Sequence, residues 1–192
     1  MAGCPDKLLI VGLGSIGRRH VAVARELEPG MEIMALRRAG SACGDVVVFT
    51  SLDEALNARP DAVIIANPAP LHVATAQAFV EAGKHVLIEK PLSDRLDGID
   101  KLLASSRRRG TVLQVGYCLR FHPSLIAMKQ AVAEGRIGRI LSLRAEVGHY
   151  LPDWRPGSDY RSAVSARRDL GGGVLLELSH EIDLARWLAG EV

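Results

Sequence analysis

At 192 residues the chain is long enough to bury a substantial core, and its length fits one or two domains. Apolar residues make up 48% and charged residues 24%, an ordinary globular balance, and a net charge of +2 is too small to point to nucleic acid or a membrane surface. No apolar run approaches the roughly 20 residues of a membrane-spanning helix.

The first apolar run, Leu8 to Val11, starts within ten residues of Met1 and reads as a strand, which leaves no room for a signal peptide. Gly12-Leu13-Gly14-Ser15-Ile16-Gly17 follows at once, and Ser15 to Leu27 has a helical pattern. A G-x-G-x-x-G between a buried strand and a helix is the arrangement of a dinucleotide site. Gly12 permits the tight turn, Gly14 admits a pyrophosphate close to the backbone, and Gly17 lets helix and strand pack closely. The free N–H groups and dipole of the helix start attract phosphate.

Glu32 to Leu36 is the second strand. It ends in Arg37-Arg38, where an NAD-selective site usually carries an acid for the ribose 2′-hydroxyl. An arginine suits a 2′-phosphate, so the pair favours NADP; solvated arginines with NAD held by other contacts are the alternative. Val46 to Phe49 leads to Ser51, with Glu54 three residues on, a capping box. Asp61 to Ala66 reads as a strand, Leu71 to Glu81 as a helix, His85 to Ile88 as a strand, Arg95 to Arg108 as a helix and Thr111 to Val115 as a strand. Arg107-Arg108-Arg109 complements the dipole at that helix end rather than forming a binding patch. Non-alternating apolar strands with intervening helices predict a doubly wound parallel α/β sheet, with a Rossmann domain over residues 1–118.

The pattern changes afterwards. Pro123 to Glu134 reads as a helix, Ile140 to Val147 as an alternating strand, Tyr150 to Asp169 as a long loop and Val174 to Leu188 as one helix. Residues 119–192 read as the opening of an α/β substrate domain, since a lone strand leaves both edges unpaired.

Two loops after strands carry further polar groups. Lys90, in Glu89-Lys90-Pro91, lies just past a strand end on the edge of the glycine loop, where it can donate to a substrate oxygen; by itself it reads equally as a surface lysine. Asn67-Pro68-Ala69-Pro70-Leu71-His72 follows another strand, and Asn67 or His72 can face a cofactor there, although capping or packing outweighs catalysis for His72 alone. Glu177, His180 and Asp183 recur at i, i+3 spacing, placing three ionisable groups on one helix face, with a surface His180–Glu177 pair as the bland alternative. Cys4, Cys43 and Cys118 lack metal-like spacing and cannot all pair, so no metal site and a reduced, cytoplasmic setting are expected.

The glycine loop, residues 67–72, 82–92, 116–123 and 171–188 together resemble the Gfo/Idh/MocA oxidoreductase family, in the family's order over almost the whole chain. The resemblance implies an NAD- or NADP-binding Rossmann domain and a C-terminal α/β domain with a large open sheet. It implies reversible hydride transfer at a secondary alcohol or ketone of a sugar, polyol or nucleotide-sugar. The family lysine falls on Lys90, the late histidine on His180 and the following acid on Asp183. Glu89, Asn67, Pro68 and His72 join Gly12, Gly14, Ser15, Ile16, Gly17, Arg37 and Arg38 as cofactor candidates. Arg120, Trp154, Glu177 and Asp183 join Lys90 and His180 as substrate candidates.

Members often place an acid four positions before the late histidine. Here that position is Leu176, so the role moves to Glu177 or is absent. The segment Tyr150 to Gly157 resembles members linked to surface-polysaccharide and unusual-sugar biosynthesis. Ordinary members continue with further strands used also in subunit association, whereas this sequence stops at Val192. A homo-oligomer is one expectation; a non-catalytic nucleotide-binding module and an inactive truncated product are the rival readings.

Overall fold

The computed structural model describes residues 4–38, 44–154, 157 and 159–191; Cys43, Arg155, Pro156 and Val192 lie outside them. The chain forms two compact units, Met1–Val115 and Gly116–Val192.

The first unit is a six-stranded parallel sheet of β1 (Lys7–Val11), β2 (Glu32–Leu36), β3 (Val47–Phe49), β4 (Ala62–Ile65), β5 (His85–Ile88) and β6 (Leu113–Val115). Their order is β3-β2-β1-β4-β5-β6, the doubly wound order in which the chain direction reverses beside β1. The crossovers are α1 (Ser15–Leu27), α2 (Leu52–Asn57), α3 (His72–Glu81) and α4 (Ile99–Arg109). Successive residues of a strand face opposite sides of the sheet, and both sides are filled. Leu9, Val11, Met34, Val63, Ile65, Val86 and Ile88 pack with Ala55 of α2, Phe79 of α3 and Leu102 of α4. Leu8, Ile10, Ile33 and Ala35 pack with Val21 and Ala24 of α1. This double burial explains why the strands are continuous apolar runs.

The capping box forms as expected, with the Glu54 N–H donating to Ser51 Oγ and the Ser51 N–H donating to Glu54 Oε2, both at 3.2 Å. α4 differs from expectation, starting at Ile99 rather than Arg95. Gly98 precedes it in the left-handed region (φ 79°), and its carbonyl takes the Leu102 N–H. The arginine run closes α4 before a left-handed Gly110, as the dipole argument requires.

The second unit holds α5 (Pro123–Ala133), α6 (Val174–Glu177) and α7 (Ser179–Ala189). Two expectations are corrected here. Residues 140–147 form no strand; no described segment pairs with them, and an isolated strand cannot satisfy its backbone groups. The single helix expected from Val174 to Leu188 is interrupted at Leu178, whose φ and ψ (−104°, 35°) leave the helical region. The long loop contains 3₁₀ turns at Leu151–Trp154, Tyr160–Ser162, Val164–Ala166 and Arg168–Leu170. No helix among the described residues is long and apolar enough to cross a membrane.

Candidate functional site

Register places Phe49, Leu36, Val11, Ile65, Ile88 and Val115 side by side, so the strands end along one line. Immediately beyond that line come Arg37, Gly12, Ala66 and Glu89. The sequence-predicted cofactor loops therefore converge on the carboxyl edge of the sheet, the edge at which such sheets bind ligands.

The three loop glycines do different jobs. Gly12 turns at φ +94°, and its N–H donates to the Leu36 carbonyl at 2.9 Å. A Cβ there would lie 2.7 Å from the Ala66 carbonyl oxygen, and one on Gly17 only 1.9 Å from the Gly12 carbonyl oxygen. These two glycines are required by the protein's own backbone. A Cβ on Gly14 would meet nothing within 4 Å. Gly14 is the N-cap of α1, no side chain caps that helix, and its first turn carries no acid. Ser15 and Ile16 are exposed beside it. An open approach to an uncapped helix start fits a dinucleotide pyrophosphate.

The neighbouring loops supply polar groups. Asn67 Nδ2 donates to Thr75 Oγ1 at 3.2 Å, while Asn67 Oδ1 is buried without a hydrogen-bond partner among the described residues. Pro68 precedes a 3₁₀ turn, Ala69–Leu71, that leads into α3. His72, read as a cofactor candidate with packing the weightier role for it alone, is 2% exposed, its ring nitrogens 2.7 Å from the Asn67 carbonyl and 2.9 Å from the Pro91 carbonyl. On β2's side, the Arg37 N–H donates to the Phe49 carbonyl at 3.1 Å; Arg37 is half-buried and Arg38 exposed.

Glu89 continues the β5 ladder, its N–H donating to the Ile65 carbonyl at 2.8 Å. One carboxylate oxygen lies 2.6 Å from His20 Nε2 and the other accepts the Lys90 N–H at 3.2 Å. Burial pushes the Glu89 carboxyl upward, but hydrogen bonding and charge from His20, with lesser help from Lys90, outweigh it and hold it below the usual value. Lys90 itself is half-buried and precedes a cis Pro91.

In the second unit, Arg120 and Asp183 form a two-pronged ion pair: Nε to Oδ2 at 2.8 Å and Nη2 to Oδ1 at 2.6 Å. That hydrogen bonding raises the Arg120 guanidinium further above its already high value. The His180 ring meets Tyr117 edge-on, with centroids 5.6 Å apart. Trp154 meets His149 in the same manner at 5.6 Å. The break at Leu178 puts Glu177 on α6 and His180 with Asp183 on α7, which corrects the expectation of three groups on one continuous helix face.

Sequence reasoning passed over His20, Thr75 and Tyr117. His20 stands three residues after Gly17, one turn into α1, which was the available signal for a side chain returning to the loop edge. Nothing local in the sequence pointed to Thr75 or Tyr117.

Strand order, glycine geometry and the open helix start define an NAD-binding Rossmann domain, the class of the first unit. Residues 7–117 match the oxidoreductase family with an NAD-binding Rossmann fold, and residues 125–192 match the GFO/IDH/MocA C-terminal domain. The chain belongs to the GFO/IDH/MocA oxidoreductase family. It is 32% identical to a 1,5-anhydro-D-fructose reductase of Ensifer adhaerens over 95% of this chain and 56% of the relative. It is likewise 32% identical to inositol 2-dehydrogenase 2 of Saccharopolyspora erythraea, over 95% and 53%. The fold resembles the WlbA dehydrogenase of Bordetella pertussis, solved with NADH and UDP-GlcNAcA, with TM-score 0.79 and 25% identity over 97% of this chain and 56% of that one. The chain spans about half the length of the relatives it matches.

Proposed function

We propose that this chain supplies the dinucleotide site and the proton-handling residues of an NADP-preferring oxidoreductase acting at a secondary alcohol or ketone of a sugar, polyol or nucleotide-sugar. The observation that carries the reading is the open, uncapped start of α1 at Gly14, on the same sheet edge as Lys90. Gly12, Gly14, Ser15, Ile16 and Gly17 would hold the pyrophosphate, with Asn67, Pro68 and Glu89 bordering the nicotinamide half. The bound nicotinamide supplies the hydride chemistry.

NADP is favoured because β2 ends next to the glycine loop, tied to it by the Gly12–Leu36 hydrogen bond, and continues into Arg37-Arg38 without an acid. A guanidinium there can pair with a 2′-phosphate. Lys90 would hold and move the proton of the reacting oxygen, supported by its half-burial and its place two residues past the end of β5. His180 shares that role by its correspondence to the family histidine, with Tyr117 supporting its ring. Arg120, paired with Asp183, and Trp154 and Glu177 are proposed substrate contacts; sugar-like ligands are supported by the scyllo-inositol and UDP-GlcNAcA bound in the solved relatives. A reducing, cytoplasmic setting is supported by the exposed thiols Cys4 and Cys118.

Lys90→Ala tests the assignment. Expected is a loss of turnover by about 100-fold or more on polyol or sugar substrates, with NADPH affinity within about twofold of the parent. Turnover unchanged in Lys90→Ala would remove Lys90 from the chemistry. Tight cofactor binding without turnover of any such substrate by the parent would identify a nucleotide-binding module instead.

A further inference from the structure

We propose that His72 is a positioning residue: a doubly protonated imidazole, bridging the loops after β4 and β5, that fixes the backbone carrying Lys90. Its ring is 2% exposed at the N-terminus of α3. Nε2 lies 2.7 Å from the Asn67 carbonyl and Nδ1 2.9 Å from the Pro91 carbonyl. Both partners are backbone carbonyl oxygens, which only accept hydrogen bonds. A neutral imidazole has one N–H, so one of the two contacts would then set a nitrogen lone pair against an oxygen lone pair in a buried site. Two protons on the ring satisfy both contacts as charge-assisted hydrogen bonds, shorter and stronger than neutral ones.

The consequence is positional. The Asn67 carbonyl belongs to the loop beside the glycine turn, and the Pro91 carbonyl is one residue beyond Lys90. One rigid aromatic ring thereby sets the spacing between the second cofactor loop and the lysine loop. A side chain with a single donor nitrogen cannot span the two carbonyls from opposite ends. The importance of that spacing for turnover rests on the assignment of Lys90 above; the clamp itself does not.

The ring protons of the uniformly ¹⁵N-labelled 192-residue chain can be observed directly by NMR at neutral pH, with His72→Gln identifying the His72 signals. Two ring N–H groups, both protected from exchange with water, are expected. A single ring N–H would overturn the proposal. In His72→Gln, hydrogen exchange of the segment 89–92 should quicken by about tenfold while α4 is unchanged. Unaltered exchange in segment 89–92 would contradict the clamp. With substrate, kcat should fall about tenfold at an unchanged cofactor KM, and an unchanged kcat would overturn the positioning role. A two-proton ring and loosened loop in a chain without turnover would leave the clamp standing and defeat the dehydrogenase reading.

Discussion

The glycine loop separates two kinds of constraint that the bare motif merges. Gly12 and Gly17 are forced by the protein's own backbone, with hypothetical Cβ atoms 2.7 Å from Ala66 O and 1.9 Å from Gly12 O. Gly14 faces open space, so the protein's own backbone does not forbid a side chain there, and the steric constraint proposed for it is the bound pyrophosphate. Gly14→Ala should therefore leave thermal stability nearly unchanged while weakening NADPH binding at least tenfold, read by a melt and a titration of the same sample. Gly17→Ala should lower both, with a stability loss of about 2 kcal/mol or more. Equal destabilisation by the two variants would contradict the distinction. This much was legible in the sequence because the steric rules of a strand–glycine–helix turn are local. The His20–Glu89 pair was not legible, since its members stand 69 positions apart and meet only when α1 and β5 share an edge.

Among the elements, the strands and helices of the first unit were largely legible because burial on both sheet faces writes itself as uninterrupted apolar runs. Element starts were less so: the left-handed Gly98 sets the first residue of α4, against a helical pattern that begins at Arg95. In the second unit, alternation at residues 140–147 gave a strand pattern without a described partner, and periodicity across Leu178 hid a backbone break. Pattern reports which face a residue would take, not whether a neighbour is there to receive it.

Two contacts between elements yield measurable consequences. The Glu89 carboxyl is held below the usual carboxylate value, so its contribution is present above that range and is lost as pH falls through the lowered value. Glu89→Gln should cost about 1 kcal/mol at pH 7, with the difference from the parent shrinking at acid pH, as read from urea midpoints at the two pH values. A pH-independent difference would show that the charge of Glu89 is not what joins it to His20. In the second unit, the Asp183 side chain is only 9% exposed, while that of Arg120 is 42% exposed. Arg120→Ala leaves a nearly buried carboxylate without its guanidinium, and solvent around Arg120 limits the loss to about 1–2 kcal/mol by chemical denaturation. No measurable change would reduce the pair to a solvated surface contact.

At the scale of the molecule, the two units differ in how they are built. The first has two apolar layers against one sheet, whereas the second has Leu188 as its one buried large aliphatic residue among those described, with Phe121, Leu141, Tyr150, Val174 and Leu175 exposed. A Rossmann half followed by a differently patterned segment was legible from the change of pattern after Gly116, although the strand read at 140–147 in that segment does not form. The arrangement of the second unit was not, because it depends on contacts distant in sequence, such as Arg120 with Asp183. The first unit is an NAD-binding Rossmann domain, and the proposal places the 2′-phosphate of NADP at Arg37-Arg38. Parallel calorimetric titrations of the 192-residue chain with NADPH and NADH test it most directly. Saturable binding of both is expected, with NADPH tighter by about tenfold or more, an advantage that Arg37→Ala with Arg38→Ala abolishes. Equal affinities would contradict the NADP preference, and no binding of either nucleotide would contradict the site itself.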